Sequence, residues 1–348
     1  MTEIPETLLG LLSKYSPTGS ESAAVEWLVK RMSALQFDQS FIDEAGNSVG
    51  IKGSGNKQIV FLGHIDTVKG EIPVRLEDDC VYGRGSVDAK GSLSAFVDSV
   101  AAVSVLPEWQ VVVIGAVDEE GNSKGARYII DYYHPRMAII GEPSQWNRVT
   151  LGYKGSQPAM ITNRQSLTHS SQGRSANDVL LGAWQELLQH VKAFNQGKTM
   201  FEQIIPTVLE MACTTDGFEM QAMIKTGTRL PVSISPQVWM EEWLGALPDV
   251  KISMLSTGIP AFQADKNSAL TRAFLGAIRS AGGKPGFVNK SGTSDINLVA
   301  PIWRCPAVAY GPGDSNLDHT PNEHLSLSDY DHSVQVLMAV LKILGISS

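Results

Sequence analysis

Three apolar runs organise the first half of the chain: Ile59-Val60-Phe61-Leu62, Val111-Val112-Val113-Ile114-Gly115-Ala116-Val117 and Met137-Ala138-Ile139-Ile140. Short runs of this kind, rich in β-branched residues, have the pattern of strands buried on both faces of a parallel sheet. Between them, apolar positions recur at helical intervals over 93–103 and 123–133. Each run ends in polar residues: Gly63-His64-Ile65-Asp66, Asp118-Glu119-Glu120 and Gly141-Glu142-Pro143. A repeated order of strand, polar loop and helix predicts an α/β sheet, which binds ligands at the carboxyl ends of its strands. Upstream, a helix is expected over 3–15. A second follows with Val25, Leu28, Met32 and Leu35 on one face, preceded by Thr18 and Glu21 at capping-box spacing. Strands are expected around 37–43 and 47–52.

Beyond residue 153 the texture changes. Strands are expected at 157–163, 204–213 and 218–228, with helices at 175–194 and 236–246. The first pattern then returns with helix 267–281, strands near 286–290 and 307–310, and helix 326–344. The expected fold class is therefore α/β: a mixed, mainly parallel sheet flanked by helices, formed by 1–153 and 261–348. An α+β domain, 154–260, is inserted into it.

Composition changes the picture mainly by exclusion. The 348 residues are 43% hydrophobic and 18% charged, enough to bury a substantial core. A net charge of -8 argues against a nucleic-acid partner. No apolar run has the length of a membrane span, and the N-terminus lacks the pattern of a signal peptide. Three dispersed cysteines, Cys80, Cys213 and Cys305, form no CxxC pair. They point to a cytoplasmic chain, whose metal sites would be built from His, Asp and Glu.

Such residues gather at the predicted strand ends. His64 and Asp66, two apart on extended backbone, share a face, so the carboxylate can hold one ring nitrogen and leave the other for a metal. Taken alone, His64 reads first as a satisfied histidine at a strand end, and Asp118-Glu119-Glu120 first as a solvated helix start. Taken together, His64, Asp88, Glu120, Glu142 and His319 suit a pair of divalent first-row metals bridged by a carboxylate. Glu119, adjacent to a ligand, has the place of a general base.

Gly63-His64-Ile65-Asp66, the Gly83–Gly91 segment, Asp118–Gly121, Gly141–Ser144 and Asp318-His319-Thr320-Pro321-Asn322-Glu323 occur in the order and spacing of a known family. The chain resembles the zinc-dependent acetylornithine deacetylase, succinyl-diaminopimelate desuccinylase and carboxypeptidase G family over essentially its whole length. The resemblance implies two divalent ions, Zn2+ or Co2+: His64 and Glu142 on one, Glu120 and His319 on the other, with Asp88 bridging. It implies Glu119 as base, Asp66 orienting His64, and a cis peptide at Asp88–Ala89. His169, in Thr168-His169-Ser170-Ser171, resembles the family histidine that reaches a neighbouring subunit's site, which implies a homodimer. Arg229 resembles the arginine that binds a substrate carboxylate. The lead-in Asn163-Arg164-Gln165-Ser166 departs from the family's glycine-rich pattern.

Lys290-Ser291-Gly292-Thr293-Ser294-Asp295 and Ala309–Ser315 most resemble the branch that releases lysine or ornithine from the glutamate γ-carboxyl of a small acidic amino-group carrier protein. This implies substrate contacts at Lys290, Gly292, Thr293 and Ser294, although the same loop is equally an N-cap for the next helix. An acidic partner calls for a local basic surface, with Lys154, Arg164, Arg174, Lys198 and Lys225 as candidates. The alternatives are deacylation of a free acyl amino acid, dipeptide hydrolysis, or a non-catalytic metal-binding module.

Overall fold

A computed structural model describes residues 3–167, 169, 171 and 173–348. It separates into two units: Met1–Leu151 with Ala264–Val288 and Ser294–Ser348, and Gly152–Gln263 with Asn289–Thr293. The first unit begins with helices α1 (Glu6–Leu12) and α2 (Ser22–Ala34) and strands β1 (Gln39–Ile42), β2 (Ser48–Lys52) and β3 (Lys57–His64). A hairpin of β4 (Arg75–Glu77) and β5 (Cys80–Tyr82) precedes α3 (Lys90–Ala101). Then come β6 (Trp109–Ala116), α4 (Lys124–Ile129), β7 (Met137–Gly141) and β8 (Arg148–Tyr153), which carries the chain into the second unit. There follow β9 (Gly155–Ser166), α5 (Ala176–Asn195), β10 (Ile205–Thr215) and β11 (Glu219–Leu230). After them come α6 (Pro236–Val238), a π-helical turn (Trp239–Leu244), β12 (Lys251–Met254) and β13 (Phe262–Gln263). The last stretch holds α7 (Ala269–Ser280), β14 (Gly286–Lys290), α8 (Ile296–Trp303), β15 (Ala307–Ala309), β16 (His324–Ser326) and α9 (Leu327–Ile343).

In the first unit the main sheet runs β1-β2-β6-β3-β7-β15-β8. Its centre is parallel: β3 with β6 and β7, and β7 with β15. The flanking pairings β1–β2, β2–β6 and β15–β8 are antiparallel. The expected mixed sheet forms, with the apolar runs as its parallel centre, but antiparallel pairings at its flanks keep it from being mainly parallel. Side chains alternate across it: Ile59, Phe61, Val111, Val113 and Ile139 pack with Leu93 and Phe96 of α3 in the main core. Burial of these strands and of α3, α7 and α9 supplies the driving force, at roughly 25 cal/mol per Å² of apolar surface removed from water.

Across the three central strands, β6, β3 and β7, one row has no side chains. Gly63 stands opposite Gly115 on one neighbour and Gly141 on the other. A Cβ at Gly63 would lie 3.2 Å from Leu93 Cβ, and one at Gly141 would lie 2.9 Å from Phe96 Cε2. Helix α3 therefore packs directly on backbone, one residue below the strand ends that carry His64 and Glu142.

The second unit holds an antiparallel sheet in the order β10-β11-β9-β12. Ala159, Ile161, Ala222 and Ile224 pack against Leu180, Ala183 and Leu187 of α5 and against Trp239. Ser175 and Asp178 form a complete capping box at the start of α5. Residues 289–293, expected with the first unit, belong to the second: β14 pairs with β8, and Lys154 N donates to Lys290 O at 3.2 Å.

Two local expectations are corrected. Thr18 does not cap α2; its hydroxyl donates to Asp66 Oδ2 at 2.8 Å, and Glu21 accepts from Gly19 N instead. Lys154 is not a surface cation: it is wholly buried, and its Nζ donates to the carbonyls of Met200 (3.2 Å), Phe201 (3.0 Å) and Gln203. The buried amine gives those loop carbonyls the donor they would otherwise lack.

Candidate metal centre

Strand β3 delivers His64 at its last residue, buried at the carboxyl edge of the sheet. Its Nδ1 lies 3.0 Å from the carbonyl oxygen of Asp66 and 3.4 Å from that residue's carboxylate. With Nδ1–H donating there, Nε2 keeps its lone pair for a ligand; it faces Asp88 Oδ1 at 3.2 Å. Asp66 thus orients His64 through its main chain more closely than through its side chain. The carboxylate has a further task. Oδ1 accepts from Glu119 N and Oδ2 from Glu120 N, both at 3.1 Å, besides the Thr18 hydroxyl. The residue that steadies the histidine also fixes the backbone of the two glutamates.

Asp88 arrives on the loop between β5 and α3, and the Asp88–Ala89 peptide is cis. His319 comes from the opposite end of the sequence with φ +61°, a left-handed conformation uncommon for a residue with a Cβ. Its Nε2 lies 2.9 Å from Asp88 Oδ2 and 2.8 Å from Glu120 Oε1. His64, Asp88 and Glu120 each offer a ligand atom within 4.8 Å of the others. Asp88 faces one imidazole with each of its carboxylate oxygens.

The electrostatics reflect the crowding of buried carboxyls. Burial, then the negative charges of neighbouring carboxyls, pushes Glu119 and Glu142 well above the usual carboxylate range and raises Glu120 as well. Asp295, buried at the start of α8, rises to about 6 for the same first reason. Burial opposes charge on Asp88 too, but hydrogen bonds with His319 and His64 overcome it and hold that carboxyl low. His319, bonded to Asp88, rises to about 9 despite its partial burial. His64 is held well above its ordinary value, because contacts with Asp66 and Asp88 outweigh burial. Crowded carboxyls sharing two imidazoles are a donor set of hard oxygens and borderline nitrogens, and divalent first-row cations would neutralise it. The residues fit such ions.

The remaining expected residues belong to other segments of the chain. Arg229 ends β11 and its Nη1 donates to Thr293 Oγ1 at 3.4 Å, so these two substrate candidates meet within the second unit. Gly292 opens to free space, and the carbonyl of Lys290 accepts from Lys154 N. Ser294, in the first unit, serves the α8 turn: its Oγ accepts from Ile296 N at 3.4 Å, and its N–H donates to Asn297 Oδ1 at 2.9 Å. His169 is exposed, with Nδ1 2.8 Å from Ser171 Oγ. Its neighbours Thr168 and Ser170 lie outside the described residues.

Sequence reasoning missed Thr18, Arg84, Lys90, Asp295 and Glu323 as parts of this region. The signal for two of them was present: Arg84 and Lys90 stand in a glycine-rich segment where charge has no business unless paired. Lys90 is buried, and its Nζ donates to Leu11 O at 3.1 Å and Lys14 O at 2.7 Å, closing the carboxyl end of α1.

The sequence profile of Peptidase family M20/M25/M40 matches residues 60–343, a span that includes His64, Asp88, Glu120, Glu142 and His319. The chain belongs to that family. Among curated M20 relatives, the LysW-lysine hydrolase of Deinococcus radiodurans is 42% identical over 94% of this chain and 92% of its own length. A putative LysW-lysine/LysW-ornithine hydrolase of Thermococcus kodakarensis is 38% identical over 97% and 91%. Solved structures share the fold at low identity. Aminopeptidase PepT from Bacillus cereus superposes with a TM-score of 0.77 at 16% identity, covering 97% of this chain and 98% of that one. The M20 metallo-carboxypeptidase Sso-CP2 of Sulfolobus solfataricus gives 0.74 at 16%, covering 98% and 100%. M20 membership and the donor set together imply divalent metal ions. Among the described residues no helix is long and apolar enough to cross a membrane.

Proposed function

We propose that this M20 enzyme hydrolyses the amide joining the α-amino group of lysine to the glutamate γ-carboxyl at the terminus of an acidic amino-group carrier protein. Ornithine, the shorter diamine, is the second substrate of the same site. The observation that carries this reading is the 42% identity, over nearly the full length of both chains, to a relative named for that reaction. The cluster around Asp88 supports it, since a buried set of carboxylates and imidazoles has the chemistry of a metal-assisted amidase. The chain would work in lysine and arginine biosynthesis in the cytoplasm.

His64 and Glu142 would hold one ion, Glu120 and His319 the other, and Asp88 both; zinc is the favoured metal and cobalt fits the same donors. When bound, the ions supply Lewis acidity toward the amide carbonyl and toward water. Glu119 takes the proton from the attacking water and returns it to the departing amine. Its raised affinity for a proton suits both halves of that task. Asp66 keeps Glu119 in place by holding its amide. Arg229 offers a bidentate fork for the carboxylate of the bound amino acid, with Thr293 beside it and Lys290, Gly292 and Ser294 completing the loop.

A homodimer belongs to this reading, with the inserted unit as its interface and His169 donated to the neighbouring site to stabilise the oxyanion. Strand β10 supports it. Among the described residues it pairs only with β11 and exposes Val208, Leu209 and Met211 along its length. A long apolar edge strand invites pairing with another copy. For the carrier, Arg164, Arg174, Lys198 and Lys225 remain the basic candidates.

The decisive experiment incubates metal-loaded protein with a carrier bearing γ-linked lysine and, in parallel, with N-acetyl-lysine and N-acetylornithine. Fast release of lysine from the carrier alone is expected. Equal or faster turnover of the free acetyl compounds would make the protein a general deacylase and remove the carrier from the account.

A further inference from the structure

Glu323 has no part in the chemistry above, yet it is 1% exposed and both of its carboxylate oxygens are fully engaged. Oε2 accepts from Arg84 Nη1 at 2.9 Å and from Gly85 N at 3.1 Å. Oε1 accepts from Val87 N at 2.9 Å and from Asp88 N at 3.0 Å. Arg84 extends the connection: its Nη1 also donates to Thr320 O at 3.2 Å, and its Nε to Gly70 O at 2.8 Å. The return contact, Gly83 N to Glu323 O, closes the ring at 3.4 Å.

These bonds join two segments from opposite ends of the chain, one carrying Asp88 and the other His319. Asp88 is gripped at its own peptide N–H, so the backbone that carries its carboxylate is tied to Glu323. His319 is four residues from Glu323 on the same segment, and it meets Asp88 at 2.9 Å. Neither segment has a long regular element of its own there: 83–88 is turn, and 315–323 is a single 3-10 turn followed by loop. Taking a carboxylate and a guanidinium out of water is costly, and a well-packed apolar pair would often stabilise a fold as well. What the ion pair and its amide contacts provide is register.

We infer that Glu323, with Arg84 as its counter-charge, is a positioning residue for the metal centre: it sets the 83–88 loop against 319–323 so that Asp88 and His319 converge. The inference rests on the reading of those two residues as ligands. Partners that orient ligands from behind are worth 10–100-fold in metal affinity.

The test compares wild type with Glu323→Gln and Arg84→Lys. The glutamine keeps the shape but sets an NH2 group against an N–H or the guanidinium; the lysine keeps the charge but loses the fork. The first readout needs no metal. In the metal-free protein, amide exchange at Gly85, Val87 and Asp88 and over 320–323 should quicken together, by about tenfold or more in Glu323→Gln, while β3 stays protected. The second is titration of the metal-free protein with Zn2+ and with Co2+. Affinity should fall about 10–100-fold in Glu323→Gln, with a smaller fall in Arg84→Lys. If Glu323→Gln does not fold, Arg84→Lys decides alone by the same two readouts. Unchanged exchange and unchanged cation affinity overturn the inference. Quickened exchange in only one of the segments also overturns it, since the residue would then serve its own loop alone. A wild-type protein that takes up no divalent cation overturns the ligand reading first and the inference with it.

Discussion

The hydroxyl of Thr18 reaches Asp66 Oδ2 at 2.8 Å and shares that oxygen with the amide of Glu120. A residue ahead of α2 therefore braces the carboxylate on which the glutamate loop hangs. Thr18→Val, nearly isosteric, removes one donor and leaves Asp66 its two amides. Folding stability should fall by about 1 kcal/mol, and kcat by a few-fold, with Thr18→Ser restoring both. Unaltered kcat in Thr18→Val would show that the amides alone suffice.

Glu119→Gln removes the base and preserves the backbone contact with Asp66. Turnover should drop by about 10²–10⁴, the usual contribution of general acid–base catalysis, while cation content measured by elemental analysis stays that of wild type. Near-normal turnover would take the proton-transfer role away from this residue.

Stripping divalent cations with a chelator should abolish hydrolysis, and either Zn2+ or Co2+ should restore it. The same additions should raise Tm with cation concentration, because ions bind the assembled ligands and not the unfolded chain. A hundredfold excess over Kd corresponds to about 2.7 kcal/mol per site. A Tm indifferent to cation would contradict the fit of the cluster.

Lys154 gives a pH signature away from the metal centre. Burial lowers its amine to about 8, below the model-compound value of 10.5. Between those two values the unfolded chain holds a proton that the folded chain has released, so stability from this group rises with pH across that window. Lys154→Met should erase the rise. It should also cost about 1–3 kcal/mol at neutral pH, because three loop carbonyls lose their donor. Chemical denaturation at pH 7.5 and 9.5 reads both effects.

The dimer reading makes a linked prediction. Met211→Lys places a charge on the apolar edge of β10, where strand-to-strand pairing is expected. Light scattering should report a monomer, and kcat should fall toward that of His169→Ala. A monomer with full activity would confine the site to one chain.

Much of the first unit was legible because its central strands are buried on both faces, and continuous apolar runs ending in polar residues leave few readings open. Most of the candidate ligands were legible in the same way: His64, Glu120 and Glu142 at or just beyond such a run and Asp88 in a glycine-flanked loop, whereas His319 stood out only through its motif. What escaped was local and polar. The three-residue strands β4, β5 and β16 bury too little to leave a period in the sequence. Thr18 has the spacing of a cap, yet a carboxylate distant in sequence takes its hydroxyl. Lys154 and Glu323 look like surface charges because a single sequence does not display their partners, carbonyls at 200–203 for one and amides at 85–88 for the other.

The row of Gly63, Gly115 and Gly141 bears on how this enzyme can change. Metal specificity, acyl preference and partner choice can all drift through side chains around the rim, while the floor beneath them leaves little room: an added Cβ would come within 3.2 Å of a neighbouring atom at each of the three glycines. Exhaustive substitution of the chain should therefore show positions that contact neither ion nor substrate and are still costly to change, Gly141 above all, where an added Cβ would press on the Phe96 ring and the Gly63 backbone. Laboratory evolution toward new acyl groups would do well to leave those codons fixed and spend its diversity above them.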